Sequence, residues 1–400
     1  MNWRREARWL GAGFATALAS TFGQTAFISV FAVDLTTRFE LGQAGWAGLY
    51  AAATTLSAIL MVWGGALADR HPLDRLAAGS MAGVALCCAG MAVAPGAWAL
   101  VPLVLGLRLF GQGMLSHVAA VAMARWYVAA RGRALAVAAL GFAVGQAALP
   151  LAFTVALAHV AAPALWGLAA AVSLLAVPAL ARLLSVPRTP QGTATETMSP
   201  GLGGRHWTRA EVLRTPTFWL LVPATIATPA FGTAFFFFQT HLPEAKGWDQ
   251  VGFVALFPLV MGVSVAATLA IGALIDRIGA TRIFAAALLP MAAGFAGLWM
   301  APTLGWAVPA VAVMALTMGA MNAVPMALWS DLFGTRHIGA VKAAAVALMV
   351  LGTALGPGLI GALIDRGIDF PAQMPWIAAY LVAAAGTAQA AVTWSVRRLR

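Results

Sequence analysis

The chain has 400 residues, 62% of them hydrophobic and only 9% charged, with a formal net charge of +11. A soluble domain carries roughly 25% charged residues. At a mean hydropathy of +0.87, these figures exclude a water-soluble globular protein and make lipid part of the solvent.

The first charge-free run, Trp9–Val33, lies between Arg8 and Asp34. About 20 helical residues cross roughly 30 Å of hydrocarbon. The run is therefore long enough to span, and too long for the apolar core of a cleaved signal peptide. Leu41–Ala68, Leu76–Val93 and Trp98–Ala124 follow as spans two to four. Ala134–Ala181 is twice the needed length and carries a turn signal at His159–Pro163, so it reads as spans five and six. Phe218–Thr240 and Gln250–Ile275 are spans seven and eight. Ile283–Ser330, divided at Ala301–Trp306, gives spans nine and ten, and Ala343–Ile364 and Phe370–Val396 complete twelve. The runs lack the alternation of a barrel strand, and Ala and Leu favour helix. The expected fold is an all-α polytopic membrane protein of twelve transmembrane helices. The adjacent Cys87 and Cys88 are the only cysteines, which gives neither a disulfide framework nor a metal motif, and no cofactor is expected.

Basic residues accumulate on the cytoplasmic side of a membrane. With the N-terminus inside, twenty of the 24 basic residues fall in inside segments and three, Arg38, Lys246 and Arg366, outside. The acids divide seven to six. The positive charge thus reflects topology and implies no nucleic-acid partner; the expected location is the inner (cytoplasmic) membrane, with both termini cytoplasmic.

Gly65-Ala-Leu-Ala-Asp69-Arg70 at the end of span two returns 207 positions later as Gly272-Ala-Leu-Ile-Asp276-Arg277 at the end of span eight. Arg75 and Arg282, Gly145 and Gly352, and Pro150 and Pro357 keep the same offset. Separated motifs at one offset mark a duplicated unit. The chain therefore reads as two pseudo-symmetric six-helix bundles, 1–184 and 215–400, joined by a polar, Pro/Gly-rich cytoplasmic linker at 185–214 whose Arg205–Arg214 section suits a short surface helix.

Six plus six helices with this loop resemble the major facilitator superfamily, and Gly65-x-Leu67-x-Asp69-Arg70 is similar to its signature, with Pro72 standing where that signature usually has Gly. Trp126-Tyr127, Arg131-Gly132-Arg133-Ala134 and Gly141-x3-Gly145-x4-Pro150 are similar to the monocarboxylate and oxalate/formate branch. The acidic-Gly-aromatic opening of span one and the span-eight arginine of that branch are absent. The resemblance implies a secondary transporter, not an enzyme, working by alternating access on a small molecule and functional as a monomer. It also implies a gating role for Gly65, Asp69, Arg70, Gly272, Asp276 and Arg277, in which the acid steadies the outward-open state. Asp69 ends a helix, where the dipole disfavours its charge.

Arg108 is the one charge well inside a span, and such residues usually face the bundle interior or a watery path. Arg108-x-x-Gly111-x-Gly113 is similar to the family's span-four signature. Bonding to carbonyls of neighbouring helices is the alternative role. Gln112 follows at i+4 on the same face. On α-helical geometry His117, nine residues on, points the opposite way and is expected to pack. Gln24 with Ser20, Thr21, Phe27 and Phe31 in span one, Thr228, Thr225, Gly232 and Gln239 in span seven, and Asn322 in span ten are further cavity candidates. The substrate set is thus Arg108, Gln112, Gln24, Asn322, Thr228 and Gln239. A lone embedded cation points to a small organic anion such as a carboxylate. The rival is efflux of hydrophobic compounds, for which Phe235–Phe238 and the many Met speak. A membrane receptor or sensor has no supporting motif.

Overall fold

The computed structural model of the chain describes residues 3–65, 67–127, 131–186 and 200–399. All regular structure among them is helical. Ten helices are long and apolar enough to cross a membrane, and a bent pair, Glu6–Gly23 with Thr25–Arg38, makes an eleventh span. The remaining span is interrupted: Ala280–Ile283 and a 3-10 turn at Ala286–Leu288 lead into Leu289–Met300. The breaks expected at His159–Pro163 and Ala301–Trp306 fall before Ala162 and before Leu304. Part of the linker, residues 187–199, lies outside the described residues.

The chain divides into two compact units, Met1–Thr195 and Glu196–Arg400. In the first, span one packs along span five (Arg131–Leu157), and span three (Leu73–Ala92) along span six (Ala162–Leu184). Glycine permits the first crossing. A Cβ on Gly141 would run into the Phe14 carbonyl, and one on Gly145 into the Thr21 side chain. In the second unit span seven (Pro216–Phe237) packs along span eleven (Ile338–Ile364). Here Gly352 and Gly356 lie against the carbonyls of Ile226 and Ala230. The repeated Gly145 and Gly352 thus serve the same crossing in each copy, where small residues let backbones meet.

Span one departs from the single helix expected over Trp9–Val33. Its helix passes into a 3-10 turn at Ser20–Gly23, Gln24 is extended (φ −84, ψ 154), and the helix restarts at Thr25 after a 46° bend. Span four departs too: Ala97–Gly106 and Ser116–Trp126 are α-helical, but Leu107–Leu115 is a π-helix. The two irregular stretches touch. A Cβ on Gly23 would enter the space of the Leu107 carbonyl and the Gln112 amide, and Gly111 lies on Gly23 in return. Irregular backbone at membrane depth is tolerated where protein or a cavity shields it.

The linker helix is shorter than Arg205–Arg214. It runs Arg209–Arg214, with Thr208 and Glu211 forming a reciprocal capping box, and Pro216 opens span seven.

Candidate functional site

The polar centre of the first unit forms where spans one, two and four meet. Arg108 is 3% exposed. Its Nη1 donates to the Gly23 carbonyl at 3.3 Å and to the Thr25 hydroxyl at 3.4 Å. Both are long beside the 2.7–2.9 Å usual for charge-assisted bonds. The guanidinium carbon lies 5.3 Å from the ring centroid of Tyr50, within cation–π range. The Tyr50 and Thr25 hydroxyls are 2.6 Å apart, and Arg108 Nε has no hydrogen-bond partner. No ion pair among the described residues brings a carboxylate to Arg108.

The local fold explains this geometry. The break at Gln24 places the Gly23 carbonyl at the negative end of the first half of span one. A cation there is favourable. The carbonyl bonding raised as an alternative role for Arg108 is therefore present, and the side chain still has donor capacity to spare. Gln24 is buried at the break itself, and Gln112 is half-buried within the π-helix. Phe27 and Phe31 do not share an open face with Gln24. They are fully buried against Phe153 and Trp166, beyond the 46° bend of span one.

His117 was expected only to pack, yet its Nε2 donates to the Gly65 carbonyl at 3.2 Å. The 100° step of an α-helix does not hold across Leu107–Leu115, so a nine-residue count does not fix its direction. Gly65 and Arg70 flank the turn after span two, where the helix Gln43–Gly64 stops and a short helix, Leu67–Arg70, begins. The side chain of Asp69 lies outside the described residues. In the second copy Gly272, Asp276 and Arg277 belong to one continuous helix, Phe257–Ile278, and Asp276 and Arg277 are exposed. Gly279 ends that helix at φ 82, ψ 151, a conformation open essentially to glycine alone. Pro72, at the same place in the first copy, takes φ −57. The two loops are thus built differently: Asp331 accepts a bond from the Ala280 amide at 3.2 Å in the second copy only, since Ala124 stands at its counterpart in the first.

The second unit scatters its candidates. Gln239 is fully buried. Thr228 is half-buried with an unpartnered hydroxyl. Asn322 is exposed and bonded to Thr268. Phe235–Phe238 are buried among aromatic neighbours that include Phe253, Phe257 and Phe370.

Tyr50 and Thr268 are the polar side chains that sequence reasoning missed. A clue existed for Tyr50, one of three tyrosines in the chain and the only one deep in the first six predicted spans. Among the described residues no group of three or more His, Cys, Asp or Glu is placed to hold a metal.

No curated protein matches the sequence. In the solved structure of a bacterial homolog to the human lysosomal transporter Spinster, inward-facing and unoccupied, a chain matches at 16% identity and TM-score 0.66, over 98% of this chain and 95% of that one. A D-xylose–proton symporter matches at 16% identity and TM-score 0.71, over 95% and 96%. At these identities the likeness shows the fold, that of twelve-span transporters. The model of the Major Facilitator Superfamily matches residues 13–357 and 259–400. The chain belongs to that superfamily and is a membrane transporter, not an enzyme.

Proposed function

We propose that this transporter works by alternating access and carries a small organic anion, a carboxylate, with Arg108 as its counter-charge. The observation that carries this reading is a buried guanidinium whose partners, the Gly23 carbonyl, the Thr25 hydroxyl and the Tyr50 ring, are all neutral. A guanidinium stays protonated in proteins. A buried charge without an opposite charge is costly, and an arriving carboxylate supplies that charge and takes up the unused Nε–H. Trp126-Tyr127 and Arg131–Ala134, similar to the monocarboxylate and oxalate/formate branch, support the same class of cargo. The hydrophobic-export reading loses its main support, because the Phe235–Phe238 rings face one another and their neighbours. We place the protein in the inner membrane, with both termini cytoplasmic, on the uneven distribution of its basic residues.

The test is carboxylate binding by purified protein, with acetate, lactate and oxalate as probes. Arg108→Gln abolishes saturable binding. Arg108→Lys keeps the charge but loses the planar fork, and weakens binding about tenfold. An Arg108 that serves only to hold span one would instead lower the melting temperature without ligand and leave the affinity of Arg108→Gln unchanged.

A further inference from the structure

In the second unit, span eight (Phe257–Ile278) and span ten (Leu304–Phe333) are joined by a polar contact at membrane depth. Thr268 lies eleven residues from the start of its helix and ten from its end, near the midpoint of the span. Its hydroxyl oxygen is 2.9 Å from the Ser264 carbonyl and 2.9 Å from the Gly319 carbonyl. Asn322 Nδ2 donates to that same oxygen at 3.2 Å.

The directions of these bonds follow from counting hydrogens. A threonine hydroxyl has one, and here it faces two carbonyls that can only accept. It therefore has no hydrogen left for Asn322, and the amide must turn its NH2 toward Thr268. The Asn322 carbonyl oxygen is then directed away, as a free acceptor. Beside it, Pro325 has no N–H to offer the carbonyl four residues earlier, that of Met321.

Asn322 is also exposed. Trp306, Val313 and Leu316 mark one exposed apolar stripe of span ten, with Val308 exposed outside it. At about 100° per residue, Asn322 falls about 180° from Val313 and about 120° from Leu316. An exposed amide at this depth, off the apolar stripe, faces a water-filled path. The pair belongs to the second copy alone: the corresponding positions of the first copy are Met61 and Leu115.

We propose that Thr268 and Asn322 form a binding subsite that takes a hydrogen-bond-donating group of the transported molecule, foremost a hydroxyl. Asn322 accepts the bond, and Thr268 is the positioning residue that fixes the amide's orientation. The proposal rests on the transporter reading but not on the anion assigned to Arg108.

The experiment uses full-length protein in lipid nanodiscs. Asn322→Cys, in a background whose buried Cys87 and Cys88 are replaced by Ala, should react with a water-soluble methanethiosulfonate; no reaction would place the residue in lipid or in the core and overturn the proposal. Glycerol, erythritol and L-lactate are then titrated against the wild type, with propionate as the control lacking a hydroxyl. At least one hydroxylated probe should bind, and Asn322→Leu and Thr268→Val should weaken it about fivefold, the size of one hydrogen bond. Thr268→Ser should restore binding, and propionate affinity should not move. Two results overturn the proposal: no binding by any hydroxylated probe, or lowered melting temperatures with unchanged affinities, the mark of a pair that only ties two helices. Failure of the Arg108 reading shows separately, as lactate and propionate binding that survives Arg108→Gln.

Discussion

At the scale of single residues, Gly23 has little freedom. A side chain there meets backbone atoms of Leu107, Gly111 and Gln112, which cannot rotate aside. Gly23→Ala should cost about 1–3 kcal/mol, the usual range for overpacking. Gly11→Ala in the same span, where a Cβ meets nothing within 4 Å, should be neutral. Melting temperatures of the two variants check this, and equal values would mean that spans one and four part easily. His241 offers a pH test at the far end of span seven. Burial lowers its pKa, and the nearby Asp369 and Glu244 only partly offset that. The folded state therefore holds His241 neutral, while the unfolded chain protonates it near about pH 6.5. Stability is complete above that value and falls as the pH drops below it, until the folded group also takes a proton. The wild type should melt lower at about pH 5.5 than at about pH 7.5, and His241→Gln should flatten the difference.

At the scale of elements, the twelve spans were legible because charge gaps report hydrocarbon thickness directly. The crossings at Gly145 and Gly352 were legible because a fixed offset exposes paired glycines. The break in span one was not. A lone Gly-Gln pair inside an apolar run reads as helix until the partner backbone is known, and the partner is Gly111 of span four. The π-helix was equally hidden, since Leu107–Leu115 has the composition of any span. These two departures lie behind the burial of Phe27 and Phe31 away from any open face and the His117 hydrogen bond that a helical count did not foresee. For Arg108 the sequence supplied depth and the absence of a buried acid, whereas Tyr50 and Thr25 became visible as partners only once three helices were brought together. The loop after span two remains the element with the clearest expected effect. Asp69→Asn should insert and accumulate normally but transport poorly, with paired cysteine labels on the two membrane faces showing a changed balance of inward-open and outward-open forms. Unchanged labelling with unchanged flux would remove the gate from this loop.

At the scale of the whole molecule, the duplication repeats the scaffold and not the chemistry. Arg108, Thr25 and Tyr50 correspond to Ala315, Gly232 and Phe257, just as Thr268 and Asn322 correspond to Met61 and Leu115. Each copy keeps its glycine crossings and carries its own polar cluster, so the two clusters can be altered independently of the frame that holds them. The π-helix of span four adds a consequence for insertions and deletions. A π turn contains more residues than an α turn, so the stretch behaves as if a residue had been added to an ordinary helix. Removing one residue between Leu107 and Leu115 would let the segment relax toward α geometry while leaving Ser116–Trp126 close to its present face, because the wide turn already absorbs the added residue. His117 would keep its side of the helix, and with it the contact with Gly65. A single-codon deletion here is therefore absorbed by the wide turn, whereas the same deletion in the regular helix Ala97–Gly106 would turn Ser116–Trp126 by about 100° relative to the outer end of the span.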